Sequence, residues 1–164
     1  MFRLETEKIN PDIENKRLQN KNAGALVMFE GWVRLSNEGK TVTGLEYEAY
    51  EALSLKEGRT ITDEAKDKFA ILDAACIHRT GLLTVGGLAV WVGVTAEHRG
   101  PAFAACSFII DQIKHRLPIW KKETYSDGSH AWVNCQSNHT GNAKQCLEHD
   151  TLGVNWSAHE QTDR

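Results

Sequence analysis

The residues with the most chemistry to offer in this sequence are basic, and most of them gather around one segment. Residues 103, 107, 110 and 114 share one face of a helix, because eleven residues at about 100° each return to within about 20°. That stripe reads Phe103, Ser107, Ile110 and Lys114. A lysine closing an apolar stripe either snorkels to water or is held desolvated, where a lowered pKa suits acid–base or covalent work. Lys121 follows within Pro118-Ile119-Trp120-Lys121-Lys122-Glu123. In a strand it faces opposite to Trp120, and it is either a solvated edge charge or a site residue. His98-Arg99-Gly100-Pro101 directly precedes the helix, where unpaired backbone N–H groups and the positive dipole end favour an anion. Arg34 ends an apolar run and is an anion ligand or a plain surface charge. His78-Arg79 reads as a strand-end pair that stabilises a sheet. Several cations without matching acids around one helix point to a phosphate-bearing ligand rather than a peptide.

Cys135-x3-His139 and Cys146-x2-His149 place two Cys and two His within fifteen residues, which is enough for a tetrahedral zinc site. Their polar surroundings, with no flanking strand or helix signal, argue against it, and no metal is expected. The sequence holds no phosphate-cradling glycine loop of nucleotide-binding type, no serine nucleophile elbow and no HExxH. The glycines from Gly81 to Gly87 precede a strand rather than a helix and read as turn residues.

The elements that must position these groups alternate between strand and helix. Asn10-Pro11-Asp12-Ile13-Glu14-Asn15 has a helix start, with Asn10 as cap and Pro11 in the first position. Ala25 to Leu35 reads as a strand, Ser36 to Lys40 as a mobile loop, and Thr43 to Tyr50 as a second strand. A helix is predicted from about Glu51 to Phe69, weakened or divided at Gly58. Ile71 to Arg79 is a strand candidate, and Leu82–Val85 with Leu88–Thr95 forms a hairpin around Gly86-Gly87. A helix from Pro101 to about Arg116 stops at Pro118. Ile119–Thr124 and Ala131–Cys135 pair around Ser126-Asp127-Gly128-Ser129. The pattern is that of a single α+β domain over residues 1–135, followed by a polar and loosely ordered tail over 136–164.

Composition sets the outer limits. The chain has 164 residues, 41% hydrophobic and 25% charged, with a net charge of −3. A chain of this size can build its own core, and the charge balance argues against nucleic acid or an anionic membrane as partner. No apolar run reaches the roughly 18 residues of a membrane span, and the first residues are not a signal peptide. A cytoplasmic location is expected, with reduced thiols. Cys76 and Cys106 lie in apolar segments and read as small buried hydrophobes.

Five blocks occur in an order that resembles a known family. They are Gly31-Trp32-Val33-Arg34, Leu45-Glu46-Tyr47-Glu48-Ala49-Tyr50, Ile77-His78-Arg79-Thr80-Gly81-Leu82-Leu83, Val92-Gly93-Val94-Thr95-Ala96-Glu97-His98-Arg99 and Lys114-His115-Arg116-Leu117-Pro118-Ile119-Trp120-Lys121-Lys122-Glu123. Together they resemble the large, catalytic subunit of molybdopterin synthase over roughly residues 3 to 135. The resemblance implies an α/β-hammerhead fold with a mixed or antiparallel sheet. It also implies a homodimer, in a heterotetramer with a small ubiquitin-like sulfur carrier. The carrier's C-terminal Gly-Gly, as a thiocarboxylate, enters a pocket and gives two sulfurs to cyclic pyranopterin monophosphate, making the dithiolene of molybdopterin without a cofactor. Lys114 and Lys121 match the family's two active-site lysines. His98 and Arg99 match a phosphate-binding pair contributed across the dimer interface, and Arg34 matches a pocket arginine. Some members carry a basic residue where this chain reads Asn134-Cys135-Gln136, so part of the phosphate grip is lacking or supplied elsewhere. A rival reading is a non-catalytic module that binds the carrier tail.

Overall fold

The computed structural model describes residues 1–134. The predicted tail and the four Cys and His residues of the zinc hypothesis lie outside the described residues. In chain order the elements are β1 (Phe2–Glu5), α1 (Pro11–Arg17), β2 (Ala25–Trp32), β3 (Ser36–Asn37), β4 (Lys40–Ala49), α2 (Glu51–Lys68), β5 (Asp73–Arg79), β6 (Gly81–Leu83), β7 (Leu88–Ala96), α3 (Arg99–Arg116), β8 (Ile119–Tyr125) and β9 (His130–Asn134). They form an α+β domain with two sheets. One sheet runs β1-β5-β7-β2, with β1 parallel to β5 and the other pairs antiparallel. The other is antiparallel and runs β3-β4-β8-β9, with β6 also paired to β4.

β7 is the spine of the first sheet and is covered on both faces. Val90, Val92, Val94 and Ala96 alternate toward α2 and α3, where they meet Ile61, Ala65, Ala105 and Ile109. Trp91 points the other way, onto Leu18 at the end of α1 and onto Ala75 and Ile77 of β5. A strand with both faces covered needs an unbroken apolar run, and Ala89 to Val94 supplies it. Arg116, at the end of α3, ties that helix to α2 through Glu57 at 2.7 Å and Glu64 at 2.6 Å. Cys76 and Cys106 are buried free thiols, as expected, and burial raises the pKa of both.

Three sequence expectations change. The segment after Arg34 is a tight hairpin, not a mobile loop. Glu38 and Gly39 both take positive φ (48° and 79°) between the paired residues Asn37 and Lys40, which is the twist that suits a two-residue turn between antiparallel strands. Gly86-Gly87 closes a turn, but β6 and β7 do not pair. Both sides of β7 are taken by β5 and β2, so β6 crosses to β4 and buries Leu83 against Val33, Leu45 and Ala89. The stripe Phe103, Ser107, Lys114 is not the packing face of α3. Phe103 is 62% exposed, and the buried face runs through Ala102, Ala105, Cys106, Ile109 and Ile113, with Ile110 beside it.

Asn10 caps α1 as predicted, its side-chain oxygen accepting from the backbone N–H groups of Asp12 and Ile13 at 3.1 and 3.3 Å. α2 passes through Gly58 unbroken because the glycine has a packing duty. A Cβ there would lie 2.2 Å from the ring of Phe2, itself only 2% exposed. Gly58→Ala should therefore destabilise the domain by about 1–3 kcal/mol through overpacking, although alanine gains about 1 kcal/mol in helix propensity. Urea unfolding checks this; a more stable variant would mean that the Phe2 ring is not held against the helix.

Candidate active site

The site lies where the C-terminal end of α3 meets the second sheet. Leu117 ends the helix in an extended conformation, as a residue before proline prefers. Pro118 then turns the chain into β8, so the seven residues after Lys114 reverse direction and bring Lys121 back beside it. β8 lies between β4 and β9, with Lys121 opposite Tyr47 in the β4 register. It is not an edge strand, and the Lys121 side chain is only 12% exposed. Trp120 faces the other way and is 42% exposed, so the predicted alternation holds while the solvated-edge reading does not.

These elements enclose a cavity of about 450 Å³. Its polar wall is Trp32, Arg34, Tyr47, His78, Lys114 and Lys121, and its apolar floor includes Val90, Ile110, Ile113, Leu117 and Ile119. A smaller recess of about 60 Å³ adjoins it and shares Trp32, Arg34, Tyr47 and Lys121. Three of the five sequence candidates, Arg34, Lys114 and Lys121, therefore share one cavity. Lys114 is exposed, contrary to a desolvated lysine on an apolar stripe. Its Nζ lies 5.8 Å from the centre of the Phe29 ring, a cation–π approach that holds it at the rim.

His98 and Arg99 are exposed at the other end of α3 and do not line this cavity. Sixteen residues at 1.5 Å each put His98 about 24 Å along the axis from Lys114. Within one chain they are a separate basic cluster.

Glu123 organises the wall. Its carboxylate is 2% exposed and pairs with Lys121 Nζ at 3.0 Å. It also accepts from Asn37 Nδ2 at 2.8 Å and from the Tyr125 hydroxyl at 2.9 Å. Asn37 Oδ1 in turn accepts from Arg34 Nη2 at 3.3 Å. One buried carboxylate thus fixes Lys121 directly and Arg34 through Asn37. Burial by itself raises the pKa of Glu123, but the bonds from Lys121, Asn37 and Tyr125 and the Lys121 charge outweigh it, leaving the carboxyl below its ordinary value.

Tyr47, His78, Asn37 and Glu123 are site residues that the sequence reading does not single out. The signal for Glu123 is there, since a strand puts residues two apart on one face and Lys121 is a candidate. His78 carries no such signal, because the strand-end reading fits it equally well. Its neighbour Arg79 does have that structural role, donating to the Thr6 carbonyl at 2.9 Å.

Comparison with known proteins gives a family to this geometry. The family model described as MoaE protein matches residues 4–116. The chain belongs to the MoaE family. Among curated members, a molybdopterin synthase catalytic subunit from Thermoplasma volcanium is 46% identical over 129 residues, covering 77% of this chain and 93% of the relative. The crystal structure of molybdopterin synthase from Staphylococcus aureus superposes with a TM-score of 0.75 at 34% identity, over 79% of this chain and 94% of that one. A complex of subunits 1 and 2 of molybdopterin-converting factor from Helicobacter pylori shares the fold, with a TM-score of 0.66 at 22% identity. The MoaE match includes Arg34, His98, Arg99 and Lys114 and stops before Lys121, which lines the cavity, and Glu123, which lines the adjoining recess.

Glu123→Gln keeps the shape and removes the charge that Lys121 faces. A carboxyl whose pKa is lowered on folding contributes stability above its unfolded value, near 4.5, and loses it as pH falls through the folded value. The variant should be about 1–3 kcal/mol less stable at pH 7, with the gap closing below that range. Urea unfolding at a series of pH values tests it, and a gap independent of pH would contradict the pairing.

Proposed function

We propose that this chain is the catalytic subunit of a molybdopterin synthase, moving sulfur from a thiocarboxylated ubiquitin-like carrier to cyclic pyranopterin monophosphate. The observation that carries the reading is the convergence of Arg34, Lys114 and Lys121 on one cavity in a MoaE-family chain. The substrate is a phosphate ester and the carrier ends in an anion, so a wall of cations suits both. The Helicobacter pylori complex of two subunits supports a small protein partner. In this reading the domain is an α/β-hammerhead, acts in the cytoplasm and needs no cofactor.

Once the carrier's sulfur has bonded to a pterin carbon, water attacks the carrier's terminal carbonyl and the acyl carbon–sulfur bond breaks, leaving sulfur on the pterin and a carboxylate on the carrier. Lys114, at the rim, stabilises the oxyanion of that step. Lys121, held by Glu123, orients the pterin and supplies a proton. Arg34 holds the anionic end of the substrate. His98 and Arg99 complete the phosphate grip from a second copy, because about 24 Å separates them from the Lys114 of their own chain. The active unit is therefore a homodimer, and with two carriers a heterotetramer.

The direct test incubates the purified chain with thiocarboxylated carrier and cyclic pyranopterin monophosphate and reads the dithiolene product as its fluorescent oxidised derivative. Product should depend on the chain, and Lys114→Ala should abolish it while leaving the unfolding curve in place. Carrier binding without product would instead favour a docking module. Mixing inactive Lys114→Ala with inactive Arg99→Ala tests the shared site. Random exchange of subunits gives half mixed dimers with one intact site each, so activity should return to about a quarter of wild type. No recovery after subunit exchange would place both residues in one chain's site.

A further inference from the structure

His78 differs in kind from the other polar residues of the cavity. It is 7% exposed, and the Tyr47 ring meets its imidazole edge to face, with centroids 5.0 Å apart. Nδ1 lies 2.8 Å from the carbonyl oxygen of Arg79. A carbonyl only accepts, so Nδ1 carries the ring proton and Nε2, the nitrogen left for the cavity, keeps its lone pair. Burial opposes a second proton. The Arg79 bond favours one, the nearby Lys114 charge opposes it again, and the balance brings the pKa down to about 4. The ring is neutral, and its tautomer and orientation are set by its neighbours.

The rest of the polar wall donates. Trp32, Arg34, Lys114 and Lys121 can only donate, while the Tyr47 hydroxyl can do either. Among the described residues lining the cavity, Nε2 is the acceptor-only side-chain atom. Such an atom repels the oxygens of a phosphate or carboxylate and fits a donor. We propose that His78 is a binding residue that accepts a hydrogen bond from an N–H group of the ligand, fixing the ligand's uncharged end beside Tyr47 while its anionic end meets the cations. This rests on the function proposed above, in which two N–H-bearing ligands enter the cavity: the pterin ring system and the terminal amide of the carrier.

Two substitutions separate this role from a structural one. His78→Asn can still donate to Arg79 from the position of Nδ1 but has nothing at Nε2. His78→Gln places a polar group at Nε2 and gives up the Arg79 bond. The full-length wild type and both variants are titrated with cyclic pyranopterin monophosphate and, separately, with a carrier ending in Gly-Gly. The Asn variant should bind one of the two about ten- to a hundredfold more weakly, and the Gln variant should recover most of that loss. The ligand affected identifies the source of the N–H. A purely structural histidine gives the reverse order, with Asn tolerated and Gln not. Asn binding both ligands like wild type, or Gln as weak as Asn, overturns the proposal. If the Asn variant does not fold, nitrogen NMR of histidine-labelled wild type replaces it: the Nε2 resonance must shift on saturation with one ligand, and an unmoved resonance with both overturns the proposal equally. Wild type that binds neither ligand defeats the functional reading itself, which keeps the two failures distinct.

Discussion

A carboxylate removed from water has to be surrounded by donors, and the wall of the cavity is arranged around that requirement at Glu123. An unpaired buried charge costs several kcal/mol. Glu123 avoids this by drawing its partners from three places: Lys121 on its own strand, Tyr125 two residues on, and Asn37 from the β3–β4 hairpin. The last is the informative one, since residues 37 and 123 are 86 positions apart. The pairing fixes the β3 end of the hairpin against β8, and Arg34 stands in the connection just before β3. The charge that makes Lys121 stay in place therefore also decides where Arg34 stands. The tight Glu38-Gly39 turn belongs to the same device, because a loose loop could not hold Asn37 against a buried oxygen.

The opposite wall depends on a different constraint, the burial of β7. With helices on one face and α1 with Trp91 on the other, the first sheet has no freedom to tilt, and α3 lies where Ala105, Ile109 and Ile113 meet the sheet. Lys114 is the residue after the last of these contacts within the helix. It is exposed because it lies off the buried face of α3, and it reaches the cavity because the next three residues end the helix and send the chain into β8. Most of the apolar floor and both lysines thus belong to one segment, from Ile110 to Lys121, with Val90 and Arg34 added from other strands and loops.

Much of this was legible from residue types and spacing alone. Asn10-Pro11 announced a helix start, Pro118 a helix stop, and the Trp120/Lys121 alternation a strand with the two side chains on opposite faces, because each of those rules acts over a few residues. Long-range choices were not legible. Whether β6 pairs with β7 or β4 depends on which strand edges are already occupied. Whether Gly58 breaks a helix depends on Phe2, more than fifty residues away. The stripe through Phe103, Ser107 and Lys114 obeys helical periodicity but is not the buried face, since Ala102 and Ala105 pack more closely than the bulkier residues beside them. Arg34, Lys114 and Lys121 were found as cations in family blocks. The acceptors that position or balance them, Glu123 and His78, were not, because a buried carboxylate and a neutral imidazole look from sequence like an ordinary surface acid and a strand-end histidine.

The distribution of charge along α3 bears on how a site of this kind is completed. Lys114, His115 and Arg116 occupy the last turn, where the negative end of the helix dipole favours cations by roughly 0.3–1 kcal/mol each. His98 and Arg99 stand at the first turn, where the dipole and the unpaired backbone N–H groups favour an anion. A phosphate is therefore better received at the start of α3 than at its end, while the cavity with the two lysines and Arg34 lies at the end. A small substrate cannot bridge about 24 Å of helix, so a single chain offers the better anion site and the better reaction cavity in different places. In the homodimer proposed above, the start of one copy's α3 would lie against the end of the other's, which would remove the conflict twice over. In a chain carrying a net charge of −3, such a dimer would gather cations from two chains on one substrate without making either chain basic overall.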